Sequence, residues 1–112
     1  MTVDAHFKNA DPAVRAIYDA ILSTSNLFGP VAEDPKKTSI HLNRKTAFAG
    51  IAAQKRSLIL TLKSATDIAD VRINRRLQAS KNRWYLYIKL SSPDELDGQL
   101  TTLLRDSYEL SG

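Results

Sequence analysis

The chain contains no cysteine. Disulfide staples, thiolate zinc centres and cysteine nucleophiles are therefore excluded. Glycine and proline number four each, too few for a collagenous or low-complexity polymer. No apolar run approaches the roughly 20 residues of a membrane-spanning helix. The apolar run in Leu58-Ile59-Leu60-Thr61-Leu62-Lys63 is itself broken by polar residues. The start, Met1-Thr2-Val3-Asp4-Ala5-His6-Phe7, lacks the basic head and apolar centre of a secretory signal. The expectation is a cytoplasmic protein with no membrane partner. What remains is ordinary globular material: 112 residues, 43% hydrophobic and 25% charged. That is enough for a single domain over residues 1–112 with a substantial core.

Charge of one sign is scarce at each end and concentrated between. Residues 36–89 carry thirteen basic side chains against Asp67 and Asp70, a net +11. Residues 1–35 are net −3 and residues 90–112 net −4, leaving +4 for the whole chain. Three explanations fit this pattern. Basic residues blunt sheet edges and solvate faces; acidic ends pair with the basic middle inside the fold; or the middle presents a surface to an anionic partner.

The apolar periodicity gives the architecture. Residues 1–10 read as an N-terminal arm. Asp11-Pro12 is a helix start, and Val14, Ile17, Tyr18, Ile21, Leu22, Ser25 and Phe28 form one apolar stripe of a helix over 11–28, ended by Gly29-Pro30. Val31 to Lys37 reads as a polar loop. From Thr38 the period becomes two, predicting an antiparallel sheet over 38–90. Its strands centre on Ile40-Leu42, Thr46–Ala53, Ser57–Lys63, Val71–Leu77 and Arg83–Leu90, with a short helical turn at Asp67-Ile68-Ala69. Ser92-Pro93-Asp94-Glu95 has the form of a capping box, opening a helix over 92–110 whose buried face is Leu96, Leu100, Leu103, Leu104 and Ser107. The fold class is α+β: an N-terminal helix, four to five antiparallel strands in meander order and a C-terminal helix, with both helices on one sheet face.

If the helices cover Leu58, Leu60, Leu62, Trp84, Leu86 and Ile88, the opposite face carries Ile59, Thr61, Lys63, Arg72, Arg76, Arg83, Tyr85, Tyr87 and Lys89. The candidate anion-binding or nucleic-acid-binding set is Lys63, Arg72, Arg75, Arg76, Lys81, Arg83, Tyr85, Tyr87 and Lys89. Arginine offers a planar fork of donors to phosphate, and tyrosine a ring face on which a base stacks. The bland alternative is a solvated face whose tyrosines are packed by arginine and lysine stems, or buried in a homodimer. A third reading is a small-molecule or enzymatic pocket between helices and sheet, using Trp84, His41 and Tyr18. No helix-turn-helix, zinc finger or RNP-type signature is present. Two isolated histidines, His6 and His41, do not make a metal site, and no cofactor is expected. Asp67 and Asp70 read as a cap and a surface charge rather than an acid–base pair.

Several segments are also familiar together: Phe48-Ala49-Gly50-Ile51, the Lys55-Arg56 turn, the leucine-alternating strand to Lys63, Asn82-Arg83-Trp84-Tyr85-Leu86-Tyr87-Ile88-Lys89-Leu90, the Ser-Pro-Asp-Glu-Leu-Asp start at 92–97 and Leu-Arg-Asp-Ser-Tyr-Glu-Leu at 104–110. In these the chain resembles an uncharacterised bacterial domain-of-unknown-function family, some members of which are loosely labelled predicted transport protein. It is more remotely similar to the MmcQ/YjbR-like and YdhG-like small α+β domains. For the former of these, DNA binding through a paired-wing surface has been suggested. The resemblance implies a fold and a weak lean toward nucleic acid, and it carries no active-site residues.

Overall fold

In the computed structural model, which describes residues 1–112, the arm first makes one helical turn, α1 (Val3–His6). Thr2 caps it by accepting from the Ala5 N–H. Pro12 then takes the first position of α2 (Pro12–Asn26), where a missing N–H costs nothing. The expected stripe is the buried one: Val14, Ile17, Tyr18, Ile21 and Ser25. The chain turns at Gly29 with φ +151°, in the region that favours glycine. A β-carbon there would sit 2.5 Å from the Tyr108 hydroxyl, so glycine also permits this close crossing.

Six strands follow: β1 (Ala32–Pro35), β2 (Ile40–Asn43), β3 (Ala47–Ala53), β4 (Leu58–Ser64), β5 (Ile73–Ser80) and β6 (Arg83–Leu90). They form one antiparallel sheet in the order β1-β2-β3-β4-β6-β5. This α+β arrangement corrects the expected count of four to five strands. The segment read as a polar loop contains β1, whose Ala-Glu-Asp-Pro sequence has no apolar alternation. It is held as a short edge by pairing with β2, and Pro35 is tolerated at such an edge. The meander also stops at β4: residues 65–72 cross over, so that β6 pairs with β4 and β5 becomes the outer edge. No helical turn forms at Asp67–Ala69.

The C-terminal region is two elements rather than one helix over 92–110. The capping box is real, but it caps a single 3-10 turn, Pro93–Glu95. Asp97 then caps α3 (Gly98–Glu109) by accepting from the Leu100 N–H. Helices α2 and α3 bury the sheet face that carries Leu42, Phe48, Leu58, Leu60, Leu62, Leu86, Ile88 and Leu90. Tyr18 of α2 donates to Glu33 on that face, and the Tyr108 ring of α3 meets Phe48 edge-on at 5.0 Å. The opposite face bears no helix.

One buried hydroxyl ties α3 to the sheet. Between β2 and β3 the register slips, with Leu42 opposite Ala49 and Asn43 opposite Ala47. Phe48 is the extra residue of this bulge, and a bulge leaves backbone groups without ladder partners. The Ser107 hydroxyl, with no solvent exposure, donates to the Phe48 carbonyl at 2.5 Å and accepts from the Lys63 N–H at 2.9 Å. It stands in for a missing rung between β3 and β4. Ser107→Ala leaves both groups unpaired in a dry place and should lower unfolding free energy by about 2 kcal/mol. Urea denaturation reads this directly; an unchanged midpoint would show that the hydroxyl does not close the ladder.

Candidate functional site

Strand pairing decides what the uncovered face carries. On β4 it is Ile59, Thr61 and Lys63, which stand opposite Lys89, Tyr87 and Tyr85 of β6. His41 of β2 stands opposite Gly50 of β3, which in turn faces Thr61. These positions alternate with buried leucines, as expected. Strand β5 does not alternate simply. Ile73 faces Ile88 but Arg75 faces Tyr87, so Asn74 is an extra residue in a second bulge. A one-residue slip exchanges the two faces of a strand. It puts Arg75 on the open face, with its guanidinium 5.3 Å from the centre of the Tyr87 ring.

Two expected site residues are corrected, Arg76 by this slip and Arg72 by the crossover that precedes it. Arg76 lies opposite Leu86, on the helix side, and its guanidinium pairs with Asp67 at 3.1 Å. Arg72 lies in the crossover before β5. Its guanidinium bonds both oxygens of Asp70, the Asp97 carboxylate and the Glu95 carbonyl. Asp70 also accepts the Arg72 N–H at 2.8 Å. Arg72 is thus a clasp between the crossover and the start of α3, with its charge neutralised. Asp67 and Asp70 serve these arginines, which explains their presence without acid–base chemistry. The acidic ends do meet the basic middle in places, at Arg72–Asp97 and Arg44–Glu109.

The remaining cations of the set behave differently. Lys63, Arg75, Arg83 and Lys89 on the open face, and Lys81 at the β5–β6 turn, have no carboxylate within 4.0 Å. The four tyrosines divide in the same way. Tyr18 and Tyr108 are buried and donate their hydroxyls to Glu33 and to the Pro30 carbonyl. Burial and the Glu33 carboxylate push the Tyr18 phenol far above its usual pKa. Tyr85 and Tyr87 are half-buried on the open face, and neither hydroxyl bonds another protein group.

Between these tyrosines and β2 lies an open depression of about 440 Å³. Its floor is Gly50, and its walls include Ser39, His41, Thr61, Lys63, Tyr85 and Tyr87. The Lys63 ammonium donates to the Thr46 and Ser111 hydroxyls, each at 3.0 Å. Burial, and then the nearby Arg83 charge, lower its pKa from the ordinary lysine value. Hydroxyls satisfy donors but leave the charge unbalanced. The three residues expected to share a pocket between helices and sheet lie apart. Tyr18 is enclosed in the core, Trp84 packs at the helix-side edge of that core, and His41 lies on the other face. The three do not converge.

A protein-family model described as domain of unknown function (DUF5655) matches residues 3–111. The chain belongs to this family. No curated protein and no solved structure matches it, so the distant likeness to the MmcQ/YjbR-like and YdhG-like domains stands without support. Within this DUF5655 chain, sequence reasoning found the tyrosines and most cations of the open face. It placed Thr61 on that face but missed Ser39, His41 and Gly50 beside it, because only the pairing of β2 with β3 and of β3 with β4 brings them together. It also missed Ser111, whose hydroxyl bonds the Ser107 and Ala47 carbonyls while meeting Lys63.

The Arg72 clasp has a pH signature. The Arg72 guanidinium and N–H hold Asp70 below the usual carboxylate range. Asp97 is lowered by the Leu100 N–H first and by Arg72 as well. Carboxylates with depressed folded pKa values stabilise fully above their unfolded values, near about 4, and lose that contribution as pH falls through the folded ones. Arg72→Gln should therefore be less stable than the parent at neutral pH and should lose less on acidification from about pH 5 to pH 3. Urea midpoints across that range are the check; parallel pH profiles would refute the clasp.

Proposed function

We propose that the open sheet face of this chain is a non-enzymatic binding surface for an anionic polymer, with nucleic acid as the favoured partner. One observation carries the reading. The cations of the helix side that belong to the basic segment, Arg44, Arg72 and Arg76, are matched with carboxylates. Those of the open face, Lys63, Arg75, Arg83 and Lys89, are not. Two tyrosines with unused hydroxyls and accessible rings lie among them. Positive charge interleaved with ring faces suits a phosphate backbone that carries bases.

A homodimer through this face is the competing proposal. A two-fold interface presses one patch against its own copy. Here that would desolvate several unpaired cations against like charges, at a cost of several kcal/mol. The electrostatics of the face favour a partner of opposite sign.

The test is a titration of fluorescent DNA followed by anisotropy. With about five phosphate contacts, affinity for a single strand should fall roughly a hundredfold between about 50 and 200 mM salt. Arg83→Glu and Lys89→Glu should each weaken binding and flatten the salt slope by about one contact or more. Lys8→Glu, in the N-terminal arm, should leave both unchanged. Absence of binding at low salt, or a salt-independent affinity, would overturn the proposal.

A further inference from the structure

We infer that the polymer is single-stranded and that one of its bases inserts into the depression over Gly50. This deepens the proposed function and rests on it.

The depression exists because position 50 lacks a side chain. A β-carbon built there would find only Thr61 within 4 Å, its nearest atom at 3.5 Å, an ordinary contact. Apart from its two chain neighbours, nothing else lies within 4 Å. Gly50 has no positive φ, so the backbone itself does not require glycine. In the middle of a strand glycine forfeits both packing and backbone entropy. A hole in the centre of a sheet is thus kept open at some expense, and its volume of about 440 Å³ falls in the range of small-ligand sites.

The chemistry of the walls suits a base with its phosphate. Tyr85 and Tyr87 present ring surface along one side. The Arg75 guanidinium lies over Tyr87, and it extends that stack toward the sheet edge. The Thr61 and Ser39 hydroxyls and the His41 ring supply donors and acceptors for a base edge. Lys63 lines the depression, and two neutral hydroxyls engage two of the three protons of its ammonium. A phosphate there would supply the missing counter-charge. A duplex cannot use this arrangement, because its bases are paired and stacked inside. An unpaired strand can turn a base inward while its backbone tracks the cations around the hole.

The decisive variant is Gly50→Leu, which plugs the hole and removes no charge. Three labelled probes of equal length are compared by anisotropy: a mixed-sequence DNA single strand, an abasic strand with the same number of phosphates, and a duplex. The parent protein should bind the single strand about tenfold more tightly than the abasic strand. Gly50→Leu should lose about that factor for the base-bearing strand and leave abasic and duplex binding unchanged. Tyr85→Ala, which needs no new volume in the sheet, should show the same selective loss should the leucine variant not fold. Equal affinity of the parent for base-bearing and abasic strands would overturn the inference while leaving the anionic surface standing. So would a Gly50→Leu protein that binds all three probes as the parent does, or a parent preference for duplex. Failure of all three probes to bind at low salt would instead overturn the surface itself.

Discussion

The Ser107 hydroxyl is where the two layers of this protein are fastened. It bridges the Phe48 carbonyl and the Lys63 N–H at the point where the β3 bulge has opened the ladder. Much of the remaining geometry depends on that bridge. The bulge turns Phe48 into the helix layer, where it meets Tyr108. Tyr108 crosses over Gly29 to the Pro30 carbonyl, which closes the exit of α2. One turn further along, the Ser111 carbonyl accepts from the N–H groups of Lys45 and Thr46. The Ser111 hydroxyl reaches Lys63. A helix seam on one face thus sets the position of an ammonium group on the other.

Charge follows the same division. Covering a sheet with helices makes ion pairs on the covered side necessary, since a cation near the core must be matched or it destabilises the fold. Arg72 obeys this rule, and Asp70 and Asp97 match it, while Arg76 pairs with Asp67 at the exposed outer strand. No such rule acts on the wet side. Water solvates Lys89 and Arg83 well enough that the fold needs no acid beside them. The net positive middle of the chain is therefore two populations, one structural and one available.

The elements with strong periodicity were legible in the sequence, and those shaped by pairing were not. The α2 stripe, the β4 leucines and the β6 alternation of Trp84, Leu86, Ile88 and Leu90 each bury enough apolar surface to impose their own period. Strand β1 buries little, so nothing in Ala32–Pro35 announced it. In β5 only Ile73 is buried, and Val71 and Leu77 are exposed. Apolar spacing there suggested a strand but misjudged its extent, and a bulge at Asn74 exchanged Arg75 with Arg76. A bulge leaves no compositional trace, because it depends on which residue of a neighbouring strand lies opposite. The capping box was read correctly, but Leu96 and Asp97 leave helical geometry and Asp97 supplies a second cap, so the segment divides. The depression was invisible for a related reason: it is assembled from residues of β2, β3, β4 and β6 and exists only once those strands are paired.

Edge protection is the plainest explanation for basic residues on a sheet, and it reaches only part of this surface. Cations at an unpaired edge prevent strand-to-strand aggregation. Arg75, Arg76 and the adjacent Lys81 fit that role on or next to β5, the outer strand. Lys63 lies on β4, and Arg83 and Lys89 lie on β6, both interior strands with neighbours on each side. Their backbones are already paired and offer nothing to aggregate. Solubility asks for polarity at such positions, which serine or threonine meets, as Thr61 does beside them. Placing like charges on adjacent paired strands, with the Arg83 charge already acting on Lys63, works slightly against the fold. A partner carrying negative charge removes that opposition, and so the interior cations, rather than the edge ones, are the residues on which the proposed function turns.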